Sequence, residues 1–438
     1  MGASQFCKKT ISSVSRKFHV YYKRAFRLAL RIYAHWDVPK KVTKILLPTP
    51  PTPFLMLLRI VYFCILVLII SLLFTNSATN AVEVTGIDFL GQATLPKGFS
   101  FQKTPMGGLS GITYDAKNQV YYVISDDRSE RASARFYTLK IDLSKGSLKD
   151  SDVVPVGVTT LIDKSGHTFP FGTIDAEGIA KTSQETVFIS SEGDADQFIH
   201  PFIREFSLSS GKELTTLPIP NKFLHTQKSQ QGIRNNLAFE GLTITPENKY
   251  LYTATENALI QDGPEAKPTT SSPCRIVQYN LLTKMPEKEF LYLTEPVTPF
   301  LNLFHRYASG LSDLVALDNQ GHFLSIERSF TGLGFSIALF QISLEGSDDI
   351  HNIDSLQAIN FKKTKPVQKK LLLDLRNLHI LLDNIEGLTL GPVLPDGQRS
   401  LILISDNNFN FIQRTQILAF RVRSQESGVR SQELGVRS

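Results

Sequence analysis

Acidic side chains recur in this chain at two fixed points of a repeated phrase. The first phrase appears five times, as LSGITYD from Leu109, AEGIAKT from Ala176, FEGLTIT from Phe239, LSDLVAL from Leu311 and IEGLTLG from Ile385. A second phrase follows each one: YYVISDD, TVFISSEGD, YLYTATEN, HFLSIER and LILISDNN. The distance from the Ser or Glu of the first phrase to the acid of the second is 16 (Ser110 to Asp126), 15 (Glu177 to Glu192), 16 (Glu240 to Glu256), 15 (Ser312 to Glu327) and 20 (Glu386 to Asp406). Carboxylates brought together in such numbers repel one another unless a hard divalent cation, a proton or a basic side chain intervenes. The candidate metal ligands are therefore Asp126, Glu177, Glu192, Glu240, Glu256, Glu327, Glu386 and Asp406. Glu177, Glu240 and Glu386, which share one repeat position, are also the candidates for catalysis. Arg128, Arg275 and Arg328 are candidates to balance the acids or to hold a substrate phosphate or carboxylate, because a guanidinium grips two oxygens at once.

A plainer reading gives the Glu-Gly pairs only a structural task, satisfying backbone N–H groups at the head of a strand. That reading is weak for Glu177, Glu240 and Glu386 together, because a simple turn does not call for a carboxylate three times. Other chemistries find little support. The sequence around Ser110, GGLSGI, lacks the second glycine of a nucleophile elbow. None of the seven histidines after Ala81 is spaced to bind zinc, and EGDADQ from Glu192 lacks the spacing of an EF-hand loop.

The elements that must carry these residues are short strands. Turn signals such as DAKNQ, TPENK and DNQG separate the paired phrases, which read as hairpins, and a third strand follows in each unit (RFYTLKIDL, FIREFSLS, RIVQYNL, IALFQISL, QILAFRV). Units spaced by about 63 to 74 residues, each of three or four strands, cannot bury their faces alone. Radial stacking buries them and removes the exposed edges, which predicts an all-β propeller. Its first strands line a channel, so the repeated acids converge on one mouth. The segment VTGIDFLGQATL is expected to complete the blade begun by the last three strands. Five units are visible, and a sixth blade is open in residues 347–378.

The remainder of the chain is of another kind. Residues 1–53 form a basic segment; eleven Lys or Arg against a single acid, Asp37, precede residue 56. Removing that excess leaves about −5 for everything after Ala81, which excludes a nucleic-acid partner, since the cations do not sit on the domain that would touch phosphates. Residues 54–81 carry an apolar run followed by polar TNSATNA, the order expected of a signal peptide or a single transmembrane anchor, and Met56 is an alternative start. Either use places the domain at 82–421 outside the cytoplasm, periplasmic, secreted or membrane-anchored. Cys274 alone remains in the exported part, so no disulfide forms within it. Residues 422–438, which hold SQESGVRS and SQELGVRS, read as a disordered tail.

The series GLSGITYD with VISDDR, DAEGIA with ISSEGD, FEGLTITPENKYLYTATENALIQDG with CRIVQYN, GLSDLVAL with LSIERSF, and NIEGLTLGP with LILISDNNF resembles the phytase-like family described as "esterase-like activity of phytase". The resemblance runs from about residue 86 to 422. It implies an exported propeller, favours six blades over five, and implies hydrolysis of small phosphoester or ester substrates. By analogy with calcium-dependent propeller phytases it implies a divalent metal, Ca²⁺, at the channel mouth that binds phosphate oxygens and activates water. The rival expectation is a propeller without catalysis that binds a ligand or partner at the same mouth.

Overall fold

The computed structural model describes residues 82–225, 230–296, 307–330, 332, 334–359 and 361–426. The chain divides into two compact units, 1–78 and 79–438, and the described residues belong to the second. The basic segment, the apolar segment at 54–81 and the chain beyond 426 lie outside the described residues. Among those described, no helix is long and apolar enough to cross a membrane.

Five four-stranded antiparallel sheets make a five-bladed β-propeller with no α-helix among the described residues. From the axis outwards, blade 1 is β4 (Leu109–Asp115), β5 (Val120–Ser125), β6 (Arg135–Ile141) and β7 (Val153–Thr160). Blade 2 is β8 (Ala176–Lys181), β9 (Thr186–Ser191), β10 (Phe202–Ser207) and β11 (Glu213–Leu217). Blade 3 is β12 (Phe239–Ile244), β13 (Tyr250–Thr255), β14 (Pro273–Asn280) and β15 (Met285–Leu293). Blade 4 is β16 (Ala308–Ala316), β17 (His322–Phe330), β18 (Phe335–Ser343) and β19 (Gln368–Asp374). Blade 5 is β20 (Asn384–Val393), β21 (Arg399–Asp406), β22 (Gln416–Glu426) and, as its outer strand, β1 (Val82–Thr94). A small hairpin, β2 (Ser100–Phe101) with β3 (Thr104–Pro105), leads into blade 1.

The ring is closed by the first strand. β1 pairs antiparallel with β22 along its length, Asp88 opposite Arg421 and Thr94 opposite Gln416, as the unpartnered VTGIDFLGQATL segment led us to expect. β22 runs on past residue 421 to Glu426, because Val82 and Glu83 pair with Glu426 and Gln425.

The expectation of a sixth blade is corrected. Among the described residues, 347–378 supply β19, the outer strand of blade 4, together with short 3-10 turns, and no further sheet. The long connection from β18 to β19 made one half-exposed outer strand look like the start of a new module.

Between each pair of adjacent blades lies a separate apolar core. Ile402 and Ile404 of blade 5 pack with Leu109 and Tyr121 of blade 1, Ile124 and Phe136 with Ile179 and Ile189, Phe188 with Phe239 and Val277, Tyr252 and Ile276 with Phe323 and Phe340, and Leu324 with Leu403 and Phe420. Because each core is built from two blades, deleting one side chain in it, Leu to Ala, is expected to cost about 2–5 kcal/mol.

Candidate functional site

All five inner strands carry a β-bulge at the same point. The register slips between Leu109 and Gly111, Ala176 and Ile179, Phe239 and Leu242, Leu311 and Asp313, and Ile385 and Gly387. The residue inside each bulge is the repeat residue itself: Ser110, Glu177, Glu240, Ser312 or Glu386. A bulge re-aims a side chain out of the ladder, and here it turns three carboxylates towards the axis. The glycine that follows is there because neighbouring inner strands touch. A Cβ on Gly178 would stand 2.6 Å from the Glu240 carbonyl oxygen, and one on Gly387 2.7 Å from that of Ser110. Blade 4 has Asp313 at this point, and its buried carboxylate accepts the N–H of Leu314 at 2.7 Å and of Leu388 in blade 5 at 2.8 Å.

The end of each second strand supplies the other ring. Leu109 pairs with Ser125, Ala176 with Ser191, Phe239 with Thr255, Leu311 with Glu327 and Ile385 with Ser405. The next residue in each case is Asp126, Glu192, Glu256, Arg328 and Asp406. Four blades thus present an acid, and blade 4 presents an arginine.

This corrects the reading of Glu327 as a mouth ligand. It stands one residue earlier, and a shift of one flips a strand residue to the other face. Glu327 points between blades 3 and 4, where it accepts from Tyr292 Oη at 2.7 Å, the Glu295 N–H at 2.7 Å and Lys369 Nζ at 2.5 Å.

Arg275 is also removed from the site. It lies on the third strand of blade 3, wholly buried, with Asp262 held through Nε at 2.6 Å and Nη2 at 2.9 Å and Glu289 through Nη1 at 2.7 Å. No oxygen acceptor of a substrate is needed to satisfy it.

The mouth gathers Asp126, Asp175, Glu177, Glu192, Glu240, Glu256, Glu386 and Asp406 around two guanidinium groups. Arg328 Nη2 lies 2.9 Å from Glu256 Oε1 and 3.2 Å from Glu386 Oε1, while its Nε has no partner among the described residues. Arg128 bonds Asp175, reaches Asn236 Oδ1 at 3.0 Å and stands 3.8 Å from Asp194. Glu192 accepts the backbone N–H of Ala238, Asp406 that of Asn408 at 2.7 Å, and Glu386 the Asn384 amide at 2.9 Å. Room for Asp126 comes from Gly108, at φ 60°, where any Cβ would strike the carboxylate.

Burial is the main cause that raises these acids, and neighbouring carboxylates add to it. Glu177 is pushed well above the ordinary range by burial and then by Glu240, Asp175, Asp126 and Glu192. Glu240 is pushed up likewise by burial, Glu192, Glu256 and Glu386, against Arg328. Burial carries Asp126 to about 7, Glu256 to about 7 against the pull of Arg328, and Asp175 to about 6 against Arg128. Glu192 and Asp406 move in the same direction for the same first cause.

Three of these groups are arranged as ligands. Asp175, Glu177 and Glu192 are buried, and one oxygen of each lies within 4.8 Å of the others. Such a set of hard oxygens fits a divalent cation. Asp175 was not singled out from the sequence, although it opens the phrase DAEGIA. Its counterparts in the other blades are Gly108, Ala238, Gly310 and Asn384, so no repeat marks it.

Solved structures similar to this one include a Kuenenia stuttgartiensis hydrazine synthase (10% identity, 74% of this chain and 66% of that chain, TM-score 0.32). Others are an endo-arabinase from Bacteroides thetaiotaomicron VPI-5482 (10%, 72% and 93%, 0.35) and a glucose dehydrogenase (14%, 79% and 100%, 0.34). This chain thus spans about two thirds of the hydrazine synthase chain. A search of curated proteins gives no match. Residues 104–409, which take in all five bulges and both rings of the mouth, match the family described as "Phytase-like: Esterase-like activity of phytase", and the chain belongs to that family.

Proposed function

We propose that the domain is an extracytoplasmic hydrolase of small phosphoester or ester substrates that works with a divalent cation, Ca²⁺ in the first place, at the acidic mouth. One observation carries this reading: three buried carboxylates converge within 4.8 Å, with a single guanidinium, Arg128, among them. Asp175, Glu177 and Glu192 would hold the ion. A divalent cation held by these three carboxylates would supply Lewis-acid polarisation of a phosphoryl or acyl oxygen.

The chain's own groups supply the rest. Arg128, beside the trio, and Arg328, on blade 4, orient an anionic group of the substrate by charge-assisted hydrogen bonds. Glu386, 3.2 Å from Arg328, helps to fix that guanidinium. Glu240 lies among carboxylates that oppose its ionisation, so it keeps a proton that it can give to a leaving oxygen as general acid.

The test is turnover by the purified protein of p-nitrophenyl phosphate and p-nitrophenyl acetate, with EDTA and with Ca²⁺ restored. Loss with EDTA and recovery with Ca²⁺ is the expected result. No product from a panel of such esters, with or without Ca²⁺, overturns the proposal, and a melting shift with ligand but no product identifies a binding protein instead.

A further inference from the structure

The inner strands end at the far side of the channel, and there they enclose a second concavity of about 390 Å³. Its floor is apolar, with Leu242 and Leu388 from opposing blades, and its wall carries Thr113, Thr243, Lys181 and Arg399. Nothing in the acidic mouth reaches it, since the two lie at opposite ends of the same strands.

The balance of donors and acceptors in this cavity is one-sided. Among the described residues Arg399 has no carboxylate partner, and the groups that act on its charge besides burial are Tyr114 and Tyr121. Lys181 Nζ is held only by carbonyl oxygens, Thr182 at 2.7 Å and Gln184 at 2.5 Å. Lys117, at the edge, is paired with Glu185 at 2.8 Å. The one acid in the wall, Asp115, is already engaged by four donors: the N–H of Lys117 at 3.0 Å and of Asn118 at 3.2 Å, the Asn118 amide at 2.9 Å and Tyr122 Oη at 3.3 Å.

Two hydroxyls sharpen the imbalance. Thr113 Oγ1 accepts the N–H of Lys181 at 3.1 Å, and Thr243 Oγ1 that of Ala316 at 3.1 Å. Each hydroxyl lines the cavity, and accepting one N–H leaves it a proton of its own to donate.

We infer that this far mouth is a binding site for a small oxyanion-bearing molecule, its anionic group on Arg399 and its remaining oxygens on the threonine hydroxyls. A guanidinium without a carboxylate partner among the described residues and two O–H donors match several acceptor oxygens, the Lys181 ammonium adds positive charge nearby, and the apolar floor accommodates a short carbon skeleton. The channel thus has mouths of opposite charge, one suited to a cation and the other to an anion. The inference does not depend on catalysis at the acidic mouth.

Inorganic phosphate is the simplest probe, titrated calorimetrically into the full-length protein at constant ionic strength. Saturable binding is expected, weakened about tenfold or more by Arg399→Gln and left within about twofold by Arg376→Gln, an exposed arginine paired with Asp374 outside this cavity, since a charged donor to an oxyanion carries at least that factor. Lys181→Gln, a second variant, is expected to weaken it about threefold by removing the neighbouring charge. Arg399 makes no ion pair among the described residues that its loss would leave unmatched, so the melting temperature of its variant should stay close to the wild type. Absence of phosphate binding by the wild type, unchanged affinity in Arg399→Gln, or an equal loss in Arg376→Gln would each overturn the inference.

Discussion

Arg328 Nη2 stands 2.9 Å from Glu256 Oε1, joining the end of the second strand of blade 4 to that of blade 3. The same nitrogen is 3.2 Å from Glu386 Oε1 in blade 5. One guanidinium therefore spans three blades at the point where the other four blades place acids. Without it, Glu256 and Glu386 would face each other across a buried space with no countercharge.

Replacing it should be costly. Arg328→Gln leaves two buried carboxylates unpaired and is expected to destabilise the domain by about 3–5 kcal/mol, as removal of one partner from a buried pair does. Urea denaturation measures this, and the double variant Arg328→Gln with Glu256→Gln should recover a large part of the loss. A single variant as stable as the wild type would show that the acids already carry protons enough to dispense with the arginine.

Arg275 offers a contrast. Its guanidinium is fully enclosed by Asp262 and Glu289, with Lys222 Nζ 3.1 Å from the same glutamate. Arg275→Gln is expected to lower stability by about 3–5 kcal/mol for the same reason of uncompensated burial. Turnover per folded molecule should not change, because the residue lies on the third strand of its blade, away from the axis. A selective loss of activity at full stability would return Arg275 to the site.

The inner half of each blade was legible because its strands are buried on both faces and their chemistry repeats. LSGITYD with YYVISDD, and its four counterparts, mark five units with a common mouth. Outer strands carry no such constraint: β19 reads QKKLLLD with none of its residues fully buried, which left a further blade open in residues 347–378. The Glu327 error came from counting 15 residues where the ladder requires 16, which hid Arg328 in the row of acids. Asp175 was invisible for another reason, since only blade 2 has an acid there. Arg275 shows that residue type near a repeat says nothing of which face it occupies.

The acidic mouth makes stability depend on pH and on divalent cations together. Burial holds Asp126 and Glu256 at about 7 and Asp175 at about 6, whereas carboxylic acids of the unfolded chain titrate near ~4. Folded values lie above unfolded ones, so their stabilisation is complete below about pH 4 and is lost as pH rises through 6 to 7. A cation that requires ionised ligands opposes this loss and displaces protons. Melting temperature in EDTA should therefore fall between pH 5 and pH 8, and added Ca²⁺ should raise it more at pH 8 than at pH 5. Equal Ca²⁺ shifts at the two pH values would mean that no ion enters among these acids.

Glu240 gives the sharpest separation of chemistry from architecture. Burial, then Glu192, Glu256 and Glu386, push its carboxyl well above the ordinary range against the pull of Arg328, and a protonated glutamic acid has nearly the shape and polarity of glutamine. Glu240→Gln should then change stability by less than about 1 kcal/mol, because no charge is created or stranded. The amide cannot hand a proton to a leaving oxygen. Turnover of p-nitrophenyl phosphate should fall by about 10²–10⁴ in kcat, the usual worth of a general acid, with KM within about threefold. A variant that loses its fold would assign Glu240 to inter-blade packing beside Gly178. One that keeps both fold and rate would leave proton transfer to another group at the mouth, with Glu256, poised at about 7, the next to replace.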